Sequence, residues 1–278
     1  MSENLSHTGV LRRLTLRDLQ KKRAVGERLA MLTAYDCVTA ALIDRAGIDL
    51  LLVGDSLGNV VLGHENTIPV TMDDMIRHTA AVVRGTKRAL VVLDLPFGTT
   101  TDPETALRAA VRAFQETGCQ AVKLEGDERV APIVRRLTEN GIPVMAHIGL
   151  TPQSVHQLGG YYRHGRTAPE IDRLRRSAQA LEEAGAFAIV LECVTEGLAE
   201  EITQELRIPT IGIGSGPGCA GQVLVINDLI GLSVSPPPSF ARPRANVAAV
   251  IERCAREFID EVRGSESVRP QPEAPVAH

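Results

Sequence analysis

Six ionisable side chains stand where short apolar runs come to an end. Asp55 closes LLLVGD (50–55), Asp94 lies in ALVVLDL (89–95), Lys123 and Glu125 lie in AVKLEG (121–126), His147 in PVMAHIG (143–149) and Glu192 in FAIVLEC (187–193). Tyr35 and Asp36 end an earlier run, and Ser56 follows Asp55. Asp55, Asp94 and Glu125 form a three-carboxylate set with no cysteine or histidine cluster nearby, which suits a hard cation such as Mg2+, some of it held through water. Lys123 and Glu125 are two apart and share one face of a strand. An ammonium there suits a ligand carboxylate or a developing oxyanion. Glu192 follows the very apolar FAIVL, so dry surroundings are expected to raise its pKa toward neutral, as a general base for a weak carbon acid requires.

Each residue also has a plainer reading. A strand-terminal Asp is often only a helix N-cap, Glu192 could cap the next helix, and His147 could be a satisfied core histidine. The carboxylates and Lys123 could form an ion-pair network with no metal. Against these stands the convergence: successive strands deliver ionisable groups to one rim, where unpaired charge is costly. The glycine-rich IGIGSGPG (211–218) could cradle phosphate or simply allow close approach to the backbone.

Such convergence needs a scaffold. Eight apolar runs, the five above with LAMLTAY (29–35), IPTIGIG (208–214) and QVLVIND (222–228), are too short for buried helices and read as strands. Amphipathic stretches such as PETALRAAVRAFQETG (103–118) separate them, and Gly47, Gly118, Gly141 and Gly185 sit where left-handed helix caps are needed. Eight strand–helix alternations predict a closed parallel (β/α)8 TIM barrel, whose active site lies at the C-terminal ends of the strands. The expected layout is an N-terminal arm over 1–27 with a short helix capped by Thr15, a catalytic barrel over 28–263 ending in a helix over 246–263, and a Pro-rich disordered tail over 264–278.

Composition removes several function classes. Apolar residues make up 44 % of the 278, aromatics only 3 %, so the core is expected from Ala, Val, Ile and Leu. A net charge of −4 with scattered Lys and Arg argues against nucleic acid as a partner. No secretory apolar segment and no run of about 18 apolar residues is present, which predicts a cytoplasmic protein without a membrane partner. Five cysteines without paired spacing read as reduced thiols.

The motifs TAYD (33–36), LLVGDSLGNVVLGHENTIPVTMDDMIRHT (51–79), DLPFG (94–98), VKLEG (122–126), HIGLTPQSVHQLGGYYRHGR (147–166), LECV (191–194) and IGIGSG (211–216) together resemble the ketopantoate hydroxymethyltransferase family, over about residues 11–263. The resemblance implies one-carbon transfer from 5,10-methylenetetrahydrofolate to 3-methyl-2-oxobutanoate through a Mg2+-stabilised enolate, giving 2-dehydropantoate for pantothenate synthesis. It implies Asp55 and Asp94 as metal ligands with Glu125 associated, Ser56, Asp94 and Lys123 as substrate contacts, Glu192 as proton acceptor and His147 lining the site. It also implies a decameric homo-oligomer. The chain departs from the family pattern at Ala220, Asn227, Glu65 and Arg77, in PFGTTT (96–101), which lacks a Tyr, and in its tail. These departures bear on the folate side, the oligomer contacts or the preferred oxo acid, which leaves a divergent paralogue as one alternative. A carbon–carbon lyase of the phosphoenolpyruvate/isocitrate-lyase type is another, though Cys37, Cys193 and Cys219 show no loop motif of that kind. A barrel that binds without catalysis is a third, and the intact ionisable set speaks against it.

Overall fold

The computed structural model describes residues 12–160 and 162–264. The chain runs through α1 (Leu16–Ala24), β1 (Leu29–Thr33), α2 (Cys37–Arg45), β2 (Leu50–Val53), α3 (Leu57–Val60), α4 (Met72–Gly85), β3 (Leu90–Asp94), α5 (Pro103–Thr117), β4 (Ala121–Glu125), α6 (Ala131–Glu139), β5 (Val144–Gly149), α7 (Val155–Leu158), α8 (Ala168–Glu183), β6 (Ala188–Glu192), α9 (Glu196–Glu205), β7 (Thr210–Ile213), β8 (Gly221–Leu224), α10 (Ile226–Ile230) and α11 (Val247–Arg263). All eight strands pair in parallel in chain order, and β8 closes on β1. The expected (β/α)8 barrel is therefore the observed fold.

Two compact units make up the chain, the first ending at Ile226 and the second beginning at Asn227. That boundary falls inside the 28–263 span expected for the catalytic domain. The first eleven residues of the expected arm, and the expected disordered tail from residue 265, lie outside the described residues. Among the described residues no helix is long and apolar enough to cross a membrane.

Local chemistry explains the helix ends. Thr15 caps α1, where its N–H and hydroxyl donate to Asp18 Oδ2 at 2.9 and 2.7 Å. Asp102 accepts from the N–H groups of Glu104 and Thr105, both at 3.0 Å, and Pro103 opens α5 with its φ already helical. Gly118 closes α5 at φ 74°, where any Cβ would be strained. One run changes element part-way: QVLVIND is strand only to Leu224, and α10 begins at Ile226. The last β1–β8 pair is Leu32 with Leu224, after which the Ile226 N–H turns to the Thr33 hydroxyl at 2.9 Å. A seven-residue apolar run does not separate strand from helix by composition alone.

The period of two along each strand builds the site. Leu50 and Leu52, Leu90 and Val92, Ala121, Met145, and Ala188 and Val190 belong to one buried apolar cluster. One step further along the same faces come Asp94, Lys123, His147 and Glu192, with Glu125 one step beyond Lys123. The apolar layers thus form a floor, and the ionisable groups stand on it at the strands' C-terminal ends.

Candidate active site

Neighbouring strands hand these side chains to one another. Asp94 is opposite Lys123, Glu125 opposite His147, and Gly149 opposite Glu192 in the strand register. Lys123 Nζ donates to Asp94 Oδ2 at 2.8 Å and to Glu125 Oε1 at 3.1 Å. The Asp55 N–H donates to Asp94 Oδ2 at 3.2 Å. The His147 ring lies between two carboxylates, with Nδ1 3.4 Å from Glu125 Oε1 and Nε2 3.3 Å from Glu192 Oε2, in ion-pair contact rather than aligned hydrogen bonds. Ser56 Oγ and the Tyr35 hydroxyl share a hydrogen bond of 2.9 Å beside this row. Asp55, Asp94, Lys123, Glu125 and His147 are all buried.

The structure separates the plain readings from the chemical ones. Asp36 is a helix cap, accepting from the Thr39 N–H at 2.8 Å on the exposed side of α2. Asp94 caps nothing, and the residue capping α9 is Thr195 rather than Glu192. The glycine-rich segment after β7 braces its neighbours: buried Ser215 Oγ accepts from the Val194 N–H at 3.0 Å and donates to Leu191 O at 2.8 Å. A Cβ on Gly216 would lie 2.4 Å from Glu196 Cγ, so close packing accounts for that glycine.

Electrostatics follow from burial with too little positive charge. Burial raises the pKa of Asp94 well above the usual range; Lys123 opposes this, while Asp55 and Glu125 add to it. Burial also raises Asp55, against the pull of Lys123. Glu125 feels the same burial, but Lys123 and His147 outweigh it and hold its pKa low. Lys123 is desolvated, yet Asp94, Glu125 and Asp55 keep it firmly protonated. For His147, burial and Lys123 push downward, but Glu125 and Glu192 prevail and hold the ring at about 9, an imidazolium at neutral pH.

A hard divalent cation fits this set. Asp94 Oδ1 is buried with no hydrogen-bond donor, a costly state for a carboxylate oxygen. Three carboxylates share a single lysine, and two of them resist ionisation for want of a counter-charge. Among the described residues no three His, Cys, Asp or Glu side chains converge closely enough to hold an ion by themselves. The remaining coordination would have to come from water and an oxygen-bearing ligand, the usual habit of Mg2+.

One expectation about Glu192 fails. The run AIVL before it is buried, but its own side chain keeps 17 % of its surface at the barrel mouth, so its setting is not dry. Its position is fixed instead by the backbone. Glu192 O accepts from the Leu150 N–H at 2.8 Å, and a Cβ on Gly149 would lie 2.2 Å from that oxygen. Cys193 follows at φ 50°, the one left-handed non-glycine residue among those described. Gln153, in the 3₁₀ turn Pro152–Ser154 after β5, is a further site residue that charge patterning did not mark. It donates to Asp55 Oδ2 at 2.9 Å.

Fold and site together define a (β/α)8 barrel with a carboxylate–lysine–histidine cluster at its C-terminal rim. Solved structures similar to this chain include phosphonopyruvate hydrolase in complex with oxalate and Mg2+ (TM-score 0.62, 15 % identity, covering 92 % of this chain and 91 % of that one). Another is 2,3-dimethylmalate lyase, a PEP mutase/isocitrate lyase superfamily member (TM-score 0.59, 17 % identity, covering 92 % of each chain). At these identities the likeness is one of fold. The sequence defines the family: residues 13–267 match ketopantoate hydroxymethyltransferase, and the chain belongs to that family. It is 55 % identical to the 3-methyl-2-oxobutanoate hydroxymethyltransferase of Chloroflexus aurantiacus, over 90 % of this chain and 89 % of that one. It is 54 % identical to the enzyme of the same name from Gluconacetobacter diazotrophicus, over 90 % and 91 %.

Proposed function

We propose that this protein transfers a one-carbon unit from 5,10-methylenetetrahydrofolate to 3-methyl-2-oxobutanoate, giving 2-dehydropantoate in pantothenate biosynthesis. The names of its relatives support the reaction, and one observation carries the reading for this chain: the unbroken row of contacts from Asp55 through Asp94, Lys123, Glu125 and His147 to Glu192. The row joins a cation-binding end to a proton-accepting end.

In this reading Asp55 and Asp94 would hold one Mg2+ per subunit, with Glu125 associated, its oxygens already accepting from Lys123 and the Gln153 N–H. Bound Mg2+ would supply Lewis acidity toward the 2-oxo and carboxylate oxygens of the substrate, which makes the C3 proton easier to remove. Lys123 and Ser56 orient the substrate carboxylate. Glu192, reachable from the barrel mouth, takes the C3 proton, and His147 beside it steadies the charge of the base. The deprotonated C3 then bonds to the one-carbon unit as both of its C–N bonds to the folate break; one water supplies the product hydroxyl, its proton and the one taken from C3 go to the folate nitrogens, and tetrahydrofolate leaves. The lyase alternative would want an acidic or nucleophilic loop cysteine. Burial instead pushes the Cys193 thiol up to about 11 and raises Cys219 as well.

The protein acts as a homo-oligomer in this proposal, a decamer by likeness to its family. Support comes from α11, which has no buried residue although Val250, Ile251, Phe258 and Val262 lie along it. Further support comes from an apolar groove of about 410 Å³ along the outside of β1 and β8. A cytoplasmic setting, with all five cysteines free, completes the reading.

The test is proton exchange. The protein is incubated in D2O with Mg2+ and 3-methyl-2-oxobutanoate, without folate, and the C3 proton is followed by NMR. Loss of the C3 signal that depends on protein and Mg2+ is expected. An inert C3–H, with turnover of a different oxo acid, would favour the lyase instead.

A further inference from the structure

We infer that Gln153 is a positioning residue for the carboxylates at the cation-binding end of the site, clamping Asp55 and Glu125 from the loop after β5. The inference rests on the functional reading above. Gln153 is buried, and it makes three contacts to three different strand tips. Its side-chain Nε2 donates to Asp55 Oδ2, beyond β2, at 2.9 Å and to the carbonyl of Leu95, beyond β3, at 3.0 Å. Its main-chain N–H donates to Glu125 Oε2, on β4, at 3.1 Å. Pro152 fixes φ at the start of the 3₁₀ turn, and the Ser154 N–H closes that turn on Thr151 O at 2.8 Å, so the residue is held on a stiff support.

The residue type is selected by the contacts. Both hydrogens of the amide nitrogen are used, one on a carboxylate and one on a carbonyl. A glutamate here would donate neither when ionised and would add a fourth carboxylate beside one lysine. A lysine would place a competing cation next to Asp55. A neutral donor restrains Asp55 without neutralising it, so its charge stays available to a metal. Lys123 already occupies Asp94 Oδ2 and Glu125 Oε1. Without the amide, Asp55 has nothing from the β5 loop to keep it from turning toward that ammonium. Outer partners of this kind characteristically change metal affinity by about 10- to 100-fold when removed.

The experiment uses the full-length protein and Gln153→Met, which preserves side-chain volume and the main-chain N–H while removing the amide. Mg2+ is titrated calorimetrically, and C3 exchange of 3-methyl-2-oxobutanoate is measured across Mg2+ concentrations. The expected result is a Mg2+ Kd about 10- to 100-fold weaker, an unchanged melting temperature, and exchange that recovers toward wild type at saturating Mg2+. Recovery by metal is the readout that a purely structural role would not give. Should Gln153→Met fail to fold, Gln153→Asn, an amide on a shorter stem, is read in its place with the same expectation. A Mg2+ Kd within about twofold of wild type in the folded variant, or a defect that excess Mg2+ leaves untouched, overturns the inference. A wild-type protein that binds no Mg2+ overturns the functional reading itself, and this inference with it.

Discussion

From β2 to β6 nearly every strand position is buried, the tip residues Gly149 and Glu192 excepted, whereas β1 and β8 alternate between buried and open. On the first arc, helices cover the outer faces, and the inner faces change from Leu, Val and Ala to charged groups within a single step. At the β8–β1 seam the inward Met31 and Val223 are buried, but Ala30 and Gln222 face outward uncovered. The same barrel therefore has one side sealed against water and one side left open. Water exclusion strengthens the electrostatics of a charged site and makes each unpaired oxygen there costly, so the sealed arc is where chemistry belongs. The open seam carries none of these charged groups, and in the proposed oligomer it is the face that would meet another copy of the chain.

This contrast can be broken by substitution, and the largest effect is expected on the sealed arc. Asp94→Ala or Asp55→Ala should lower Mg2+-dependent turnover by at least about 10³-fold, since several kcal/mol of Lewis-acid stabilisation are lost. The fold should survive. Asp94→Ala should also lower the melting temperature, because it takes an ion-pair partner from buried Lys123 and an acceptor from the Asp55 N–H, although Glu125 still holds the ammonium. Near-normal turnover at ordinary Mg2+ would remove these residues from the metal site. Next in size is Leu124→Ala, fully buried between barrel and helices, which should cost about 2–5 kcal/mol by thermal or urea unfolding. Gln222→Ala on the open seam should cost under about 0.5 kcal/mol in the dissociated chain. Similar losses at both positions would erase the distinction.

Smaller effects sharpen the open side. Phe258→Glu on α11, a position 65 % exposed, should reduce oligomer size by light scattering while leaving C3 exchange per subunit within about twofold, because every proposed site residue belongs to the strands and loops before Ile226. An unchanged oligomer would release α11 from the interface. Smallest is a labelling difference. Cys254 sits four residues from both Val250 and Phe258, on the same stripe of α11, whereas Cys37 is exposed at the start of α2. Native protein should label quickly at Cys37 and slowly at Cys254, and dissociation should make the two alike. Equal rates in the intact assembly would count against a covered stripe.

Much of the barrel was legible because strand faces repeat with a period of two. A run such as ALVVLDL states both its apolar column and the charged residue that ends it, and the same holds for AVKLEG and PVMAHIG. The convergence of Asp94, Lys123, Glu125 and His147 follows directly. Gln153 was not legible: a neutral amide between Pro152 and Ser154 carries no period and no charge, and its importance comes from three strand tips that only the closed barrel brings together. The setting of Glu192 was not legible for a related reason. Burial holds through AIVL and stops there, because the last inward position of β6 meets the barrel mouth rather than the floor. At β8, QVLVIND was apolar enough for either element, and the ladder's end at Leu224 decided the matter.

Glu192 is the proposed base, at the far end of the row from Asp55. Glu192→Gln keeps the side chain's shape and its reach toward His147 but cannot accept a proton. Full-length Glu192→Gln is compared with wild type for Mg2+ and 3-methyl-2-oxobutanoate affinity by calorimetry, and for C3 proton exchange in D2O by NMR. The prediction is near-normal affinity, since Asp55, Asp94 and Lys123 are intact, with exchange slowed by about 10²–10⁴-fold. Wild-type exchange in this variant would contradict the account and pass the role of base to another group at the rim.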